Sequence, residues 1–222
     1  MTSTKRKLML VVFAVALIVA LSAGVVTAFA LTTTDTVEYP VTKGTDAFKY
    51  APTWSCGPAG VDHWDAFRIS IGELPLDGVE YLAWQIKVNG YASLTVGAVY
   101  GEWWSRLDVN DKNGGGTPVD GANVYFVNED GTVDSINVIY GAVDLSNRTG
   151  MLLMPVKNLA WRFGDPGTSI HSFYFTANTL YNSNYKVSTS ELGYYTGEPT
   201  DIENYHSLVK FALDEDHESY TS

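Results

Sequence analysis

The sequence predicts an all-β domain, a two-sheet antiparallel β-sandwich of the jelly-roll type, preceded by an N-terminal signal peptide or signal-anchor helix. Short apolar and aromatic runs of strand length recur along the chain, and Gly, Pro, Asn, Ser and Asp residues separate them. After the N-terminal apolar run, no stretch shows the period of a long amphipathic helix. About eight strands at such intervals are typical of a sandwich.

The first 30 residues have the composition of an export signal. Three basic residues at 5–7 precede an uncharged, mostly apolar run over 8–30, and Ala-Phe-Ala at 28–30 has the form of a signal-peptidase site. Cleavage is favoured, but the run is also long enough to cross a bilayer as a retained anchor. In both cases the positive-inside rule predicts an extracellular or cell-surface domain, secreted or membrane-anchored, with membrane contact only through this segment.

The rest of the chain divides by composition. Residues 31–45 are rich in threonine and are expected to form a linker or a first edge strand. Residues 46–197 are expected to form the β-sandwich. Residues 198–222 are expected to form an acidic tail with a short helix over 202–213.

The clearest strand covers 78–88, where two kinds of side chain alternate. One face carries Leu82, Trp84, Ile86 and Val88. This alternation predicts that Trp84 belongs to the core. The dipeptide Asn89-Gly90 follows at once and favours a tight hairpin turn, with a returning strand over 94–100.

The charge and cysteine content exclude some classes of partner and bond. Acidic residues outnumber basic ones by 25 to 14, for a formal net charge of −11 at pH 7. Such a surface is a poor match for phosphate backbones, so nucleic acid is not an expected partner. Cys56 is the only cysteine, so stability must come from the core and not from a disulfide within the chain.

Three short segments carry a resemblance to a known family: Gly150-Met-Leu-Leu-Met-Pro, Phe173-Tyr-Phe, and Ser190-Glu-Leu-Gly-Tyr-Tyr. Together they resemble galactose-binding-like jelly-roll modules, which include carbohydrate-binding modules of bacterial cell-surface proteins. The resemblance covers residues 65–195. It implies non-catalytic binding of a glycan or cell-surface polysaccharide.

The resemblance also bears on metals, since many such modules hold a structural calcium ion. Their last strand usually has a second acidic residue where this chain has Ser190, so calcium remains open and no other cofactor is expected. The segment that starts at Asp108 lacks EF-hand spacing, because Lys112 stands at the fifth position. The histidines are far apart in sequence, which disfavours zinc, and His171 is expected to be a structural histidine within a strand.

The segment 100–113 is the candidate ligand site, because it combines aromatic and polar residues in a long loop. The residues expected to contact a ligand are Tyr100, Trp103, Trp104, Arg106, Asp108 and Asn110. Aromatic faces stack on the C–H-rich faces of pyranose rings, and amides, carboxylates and guanidinium groups hydrogen-bond to hydroxyls. The alternative is that both tryptophans are packing residues of the core.

No local pattern indicates catalysis. Glycoside hydrolysis needs two positioned carboxylates, and the available ones, Glu73, Glu102 and Asp108, fall in no local signature. A nucleophile elbow of the form Gly-x-Ser-x-Gly is also absent from the sequence. We therefore expect a non-catalytic glycan-binding module. A structural or adhesive subunit that binds another surface protein is the alternative, and a jelly-roll glycoside hydrolase is the third hypothesis.

Overall fold

The computed structural model describes residues 45–49, 51–56, 67–101, 105–109, 122–162, 167–177 and 184–211. The chain divides into two units, 1–30 and 31–222, and the described residues all belong to the second. The predicted export signal, the linker up to residue 44 and the tail from residue 212 lie outside the described residues.

Thirteen strands make up most of the described chain. They are β1 Thr53–Cys56, β2 Phe67–Pro75, β3 Tyr81–Tyr91, β4 Ser93–Val99, β5 Arg106–Asp108, β6 Asn123–Asn128, β7 Val133–Asn137, β8 Val143–Asp144, β9 Thr149–Pro155, β10 Ala160–Arg162, β11 Ser169–Ala177, β12 Asn184–Tyr195 and β13 Tyr205–Lys210. Short 3-10 helices cover Thr45–Phe48, Val156–Asn158 and Ile202–Asn204.

The strands form two antiparallel sheets that pack face to face, which confirms the predicted β-sandwich. The first sheet has the order β1-β12-β3-β9-β6-β7, and the second has the order β10-β5-β4-β11-β2. In the first sheet, β1 and β13 pair with successive halves of β12. In the second, β8 and β5 pair with successive parts of β4.

The main core lies between the two sheets and is centred on Trp84. The predicted core face of β3 is confirmed, because Leu82, Trp84, Ile86 and Val88 are all buried there. The Trp84 ring contacts two rings of β11 in the opposite sheet, with centroid distances of 5.9 Å to Phe173 and 5.5 Å to Phe175. Its indole nitrogen donates a hydrogen bond to Thr189 Oγ1 at 3.0 Å. Trp84 therefore joins both sheets and satisfies its one polar atom.

The opposite face of β3 is buried as well. Tyr81 and Ala83 pack there with Tyr125, Met151 and Tyr195 in a second apolar cluster. Burial raises the pKa of the Tyr81 hydroxyl well above its usual range. The first sheet is therefore apolar on both faces over its central strands.

The prediction of a hairpin at Asn89-Gly90 is wrong. β3 lies in the first sheet between β12 and β9, while β4 lies in the second sheet. Because both edges of β3 are already paired, the chain must cross to the other sheet at this point. The positive φ of Gly90, 99°, permits the bend, and the Asn147 side chain accepts a hydrogen bond from Gly90 N at 2.9 Å.

The short helix expected over 202–213 is replaced by the 3-10 turn Ile202–Asn204 and strand β13. The free edge of β12 offers backbone partners to this segment, which a helix would leave unused. The sandwich therefore extends to Lys210 and does not end at residue 197.

Tyr205 anchors β13 to the sheet across a glycine. Its hydroxyl donates to Glu191 Oε1 at 2.9 Å, and Glu191 is buried. A side chain at Gly193 would place its Cβ 2.5 Å from the Tyr205 hydroxyl and 2.6 Å from the His206 carbonyl oxygen. Glu191 and Gly193 in the segment Ser-Glu-Leu-Gly-Tyr-Tyr therefore hold the last strand in place.

We predict that Gly193→Ala lowers the free energy of unfolding by roughly 2–3 kcal/mol, because the new methyl group must displace the Tyr205 ring or the β13 backbone. Gly78→Ala is the matched control: Gly78 has φ 75° but open space around it, so only about 1 kcal/mol of backbone strain is expected. Urea unfolding of the two variants measures the difference. Equal losses would contradict the proposed anchor.

Candidate functional site

The predicted ligand residues do not form one described cluster. Trp103, Trp104 and Asn110 lie outside the described residues. Tyr100 lies at the end of β4, and its ring packs edge to face on Trp161 with a centroid distance of 4.7 Å. Both rings pack against the core between the sheets. Arg106 and Asp108, by contrast, lie on the outer face of the second sheet, because Leu107 between them belongs to the core.

Asp108 takes part in a row of residues that crosses four strands. In the registers of the second sheet, Arg68 of β2 is opposite Tyr174 of β11, Tyr174 is opposite Gly97 of β4, and Gly97 is opposite Asp108 of β5. The Tyr174 hydroxyl donates to Asp108 Oδ2. Because β11 and β5 are two strand spacings apart, about 9.5 Å, the phenol must pass over Gly97. Tyr174 and Asp108 are completely buried.

Two arginines flank this pair. The Arg106 guanidinium lies 4.8 Å from the centre of the Tyr174 ring, a cation–π contact. Burial, followed by repulsion from Arg106, lowers the pKa of Arg68. Arg106 thus packs on the ring of the tyrosine whose hydroxyl bonds to Asp108. The arrangement stabilises the sheet, since its carboxylate is not accessible to a ligand.

The described surface also contains a polar cavity of about 660 Å³ between the β6–β7 turn and the β8–β9 turn. We call it the turn cavity. It is lined by Asn128, Glu129, Asp130, Ser146, Asn147, Arg148 and Thr149. It is open to solvent over most of its extent and is a surface groove between the two turns. Its lining consists of carboxylate, amide, hydroxyl and guanidinium groups.

Local hydrogen bonds hold both turns in place. In the first turn, Asp130 Oδ1 accepts bonds from Thr132 N at 2.9 Å and from Thr132 Oγ1 at 2.6 Å. In the second turn, Asn147 has a left-handed φ of 53°, which asparagine tolerates better than most residues. The bond from Gly90 N to the Asn147 side chain fixes that turn to the end of β3. The cavity is therefore built on well-anchored backbone.

Arg148 is the one basic residue in the lining of the turn cavity. Its Nη1 lies 2.6 Å from Asp134 Oδ2, and its guanidinium lies 5.2 Å from the centre of the Phe126 ring. The hydrogen bond from Arg148 lowers the pKa of the Asp134 carboxyl. Because Asp134 offsets the charge of Arg148, the net character of the cavity is set by Glu129 and Asp130 and is acidic.

Sequence reasoning missed the turn cavity. The polar turns Asn128-Glu-Asp-Gly and Ser146-Asn-Arg-Thr are visible as turn signals. Nothing local shows that they meet. They meet because β6 pairs with β9, which sets Asn128 opposite Gly150.

His171 is a structural histidine, as expected. Its Nδ1 lies 2.9 Å from Ser172 Oγ, and its Nε2 lies 2.9 Å from the Gly101 carbonyl oxygen. Within the described ranges, no three His, Cys, Asp or Glu side chains are grouped as metal ligands. Calcium binding stays a prediction. In the same part of the chain, no helix has the length and apolar character to cross a membrane.

No protein-family model, curated protein or solved structure matches this chain. The resemblance to galactose-binding-like modules therefore stays a prediction. In one of the segments that carry it, Glu191 and Gly193 have a structural explanation in the docking of β13.

We predict that Asp108→Ala lowers the free energy of unfolding by about 2–3 kcal/mol, because it leaves the buried Tyr174 hydroxyl without this charged acceptor. Asp108→Asn is the matched variant, since it keeps an acceptor oxygen and should lose less. Thermal and urea unfolding compare the two. A fully stable Asp108→Ala protein would show that Asp108 has no structural role.

We predict that Asp134→Asn lowers the free energy of unfolding by less than about 1 kcal/mol near neutral pH, because the ion pair with Arg148 is partly exposed. The folded pKa of Asp134 is below its usual 3.8. The stabilisation is therefore present above that value and is lost as the pH falls through the lowered pKa. The two proteins should converge in acid. Urea unfolding at a series of pH values measures this, with Asp77→Asn as an exposed control, and a constant difference would contradict it.

Proposed function

We propose that this chain is an exported cell-surface domain of the galactose-binding-like jelly-roll type that binds a glycan without catalysis. The turn cavity is the observation that carries the proposal. Each sugar hydroxyl both donates and accepts hydrogen bonds. The carboxylates and amide oxygens of the cavity accept, while its amide, hydroxyl and guanidinium groups donate. A lining of this composition suits a polyhydroxylated ligand better than an apolar one.

The path of the chain supports the jelly-roll type. Consecutive strands β2, β3 and β4 alternate between the second and first sheets, and at the other end of the chain β10 and β11 of the second sheet come between β9 and β12 of the first. Alternation of this kind is how a jelly roll places strands that are distant in sequence side by side. It agrees with the family that the C-terminal segments resemble.

The charge of the cavity narrows the ligand class. Glu129 and Asp130 line it, Arg148 is paired with Asp134, and the chain as a whole carries −11. Uronic acids and sulfated sugars would meet like charge. We therefore propose neutral or amino sugars as the ligand.

A second candidate function, binding to another protein, is supported by two exposed apolar residues. Ile139 and Tyr140 are 56% and 59% exposed, and adjacent apolar side chains at this exposure favour a protein partner. This would suit a structural or adhesive surface subunit. A hydrolase is the least supported hypothesis, because Asp108, one of the candidate carboxylates, is buried against Tyr174.

A saccharide array with the exported protein, run with calcium and with a chelator, tests the proposed function. We expect binding to a neutral or amino sugar, and at least fivefold weaker binding by Glu129→Gln, because one charged acceptor is lost. Glu80→Gln is the matched control, an exposed glutamate outside the cavity lining. The double variant Trp103→Ala/Trp104→Ala tests the predicted loop in the same assay.

The array results distinguish between the turn cavity, the loop over 100–113 and a protein partner as the basis of binding. Binding that survives Glu129→Gln but not the tryptophan variant would move the site from the turn cavity to the loop. Binding lost with the chelator would establish a role for calcium. A blank array from well-folded protein would reject glycan binding and favour the protein-partner hypothesis.

A further inference from the structure

Among the described strands, β7 is the last strand of the first sheet. It pairs with β6 on one side, and no described strand pairs with its other side. Asn128 N donates to Thr132 O, and Val138 N donates to Ala122 O. Because hydrogen-bonded positions alternate along an antiparallel pair, the even-numbered residues of β7 face β6. The backbone groups of Val133, Ser135 and Asn137 therefore point away from the sheet.

The other edge strands carry features that oppose pairing with another chain. In the second sheet, β2 ends in Pro75, carries charged Arg68 and Glu73, and pairs with β11 through a register shift. β10 is only three residues long, and β1 only four. β13 ends in Lys210. β7 has neither proline nor lysine, and its register with β6 is regular.

An exposed apolar turn follows β7. Tyr140 adopts a left-handed φ of 51°, which is unfavourable for a bulky aromatic residue. Its 59% exposure means that contacts within the chain cover less than half of the residue. Asparagine or glycine would suit this position better. Tyr140 and Ile139 therefore present apolar surface beside the end of β7.

The charge around β7 suits a copy of the same chain. Two copies that each carry −11 repel one another, so a contact between them is favoured where the surface is locally neutral. Residues 135–143 contain no charged side chain. The one charged residue of β7, Asp134, is paired with Arg148.

We propose that the β7 edge is the contact between two copies of this chain, paired antiparallel about a two-fold axis at Ser135. Ser135 of one copy then lies opposite Ser135 of the other, and Val133 lies opposite Asn137. All outward backbone groups of β7 find partners in this register. Asp134 lies opposite Ile136, so like charges are not opposed. The short edge predicts weak association.

Continued beyond the end of β7, the same pairing brings the turn that contains Tyr140 of one copy toward the turn that contains Asp130 of the other. Asp130 lines the turn cavity, whose own lining contains no aromatic residue. The second copy would thus supply an aromatic ring at the rim of the glycan site. This part of the inference rests on the proposed function, whereas the pairing of β7 does not.

Cysteine cross-linking of the full-length chain tests the pairing, with Cys56→Ser as the background. Opposed residues at a hydrogen-bonded position have Cα atoms about 5.5 Å apart, within reach of a disulfide. Ser135→Cys should therefore form a disulfide-linked dimer when an added mild oxidant removes two electrons and two protons from the thiols. Asn137→Cys is the matched control, since the two copies of that residue would be about 13 Å apart and should stay monomeric.

Two further measurements sharpen the test. Raising the salt concentration should increase cross-linking of Ser135→Cys, because screening weakens the repulsion between acidic chains. Adding Tyr140→Asn should reduce cross-linking severalfold without lowering the unfolding temperature, because asparagine tolerates the left-handed turn. A folded Ser135→Cys protein that does not cross-link, or that cross-links no better than Asn137→Cys, would overturn the inference.

A saccharide-binding measurement tests the proposed contact between Tyr140 and the glycan independently of the pairing of β7. If the wild type binds a saccharide, Tyr140→Asn should weaken that binding about tenfold, while Tyr91→Asn, at another exposed tyrosine, should not. Unchanged binding by Tyr140→Asn would remove Tyr140 from the site and leave the proposed function standing. Failure of the wild type to bind any saccharide would reject both glycan statements, and the cross-linking would still decide the pairing.

Discussion

The hydrogen bond between a tyrosine hydroxyl and a buried carboxylate is the interaction on which the outer strands of both sheets depend. Tyr174 reaches Asp108 across Gly97 in the second sheet, and Tyr205 reaches Glu191 across Gly193 in the first. A buried carboxylate without such a donor is strongly unfavourable. Gly193 leaves room for the Tyr205 ring, whereas Gly97 permits the close approach of the β5 backbone at Leu107 and Asp108.

Polar residues have two different roles in this structure. Buried ones such as Asp108 stabilise the sheets, whereas those proposed to contact a ligand lie in surface turns. Asp108 and Arg106 looked like ligand-binding residues because they follow a pair of tryptophans, yet they support the sheet. The polar groups that line the turn cavity lie instead at the turns after β6 and before β9. Rigid strands that present polar turns at one end are a common basis for recognition in β-sandwiches.

Electrostatic repulsion between acidic chains links the net charge of the protein to the uncharged segment that follows Asp134 in β7. Net charge of −11 keeps an exposed protein apart from its own copies and from anionic polymers. Contact between copies is favoured where charge is low or paired, as it is along β7 through the Asp134–Arg148 pair. Under the proposed function and the proposed pairing, charge selects both the class of saccharide and the surface between copies.

The sequence alone determined the β class, the core face of β3 and the structural role of His171, because alternation and turn residues are local properties of the chain. It did not determine which strands pair. The Asn89-Gly90 turn became a crossing between sheets because β3 is flanked by β12 and β9, and the tail became a strand because β12 had a free edge. The turn cavity, too, exists only because β6 pairs with β9. Pairing joins residues far apart in the chain, and only the tertiary structure could decide it.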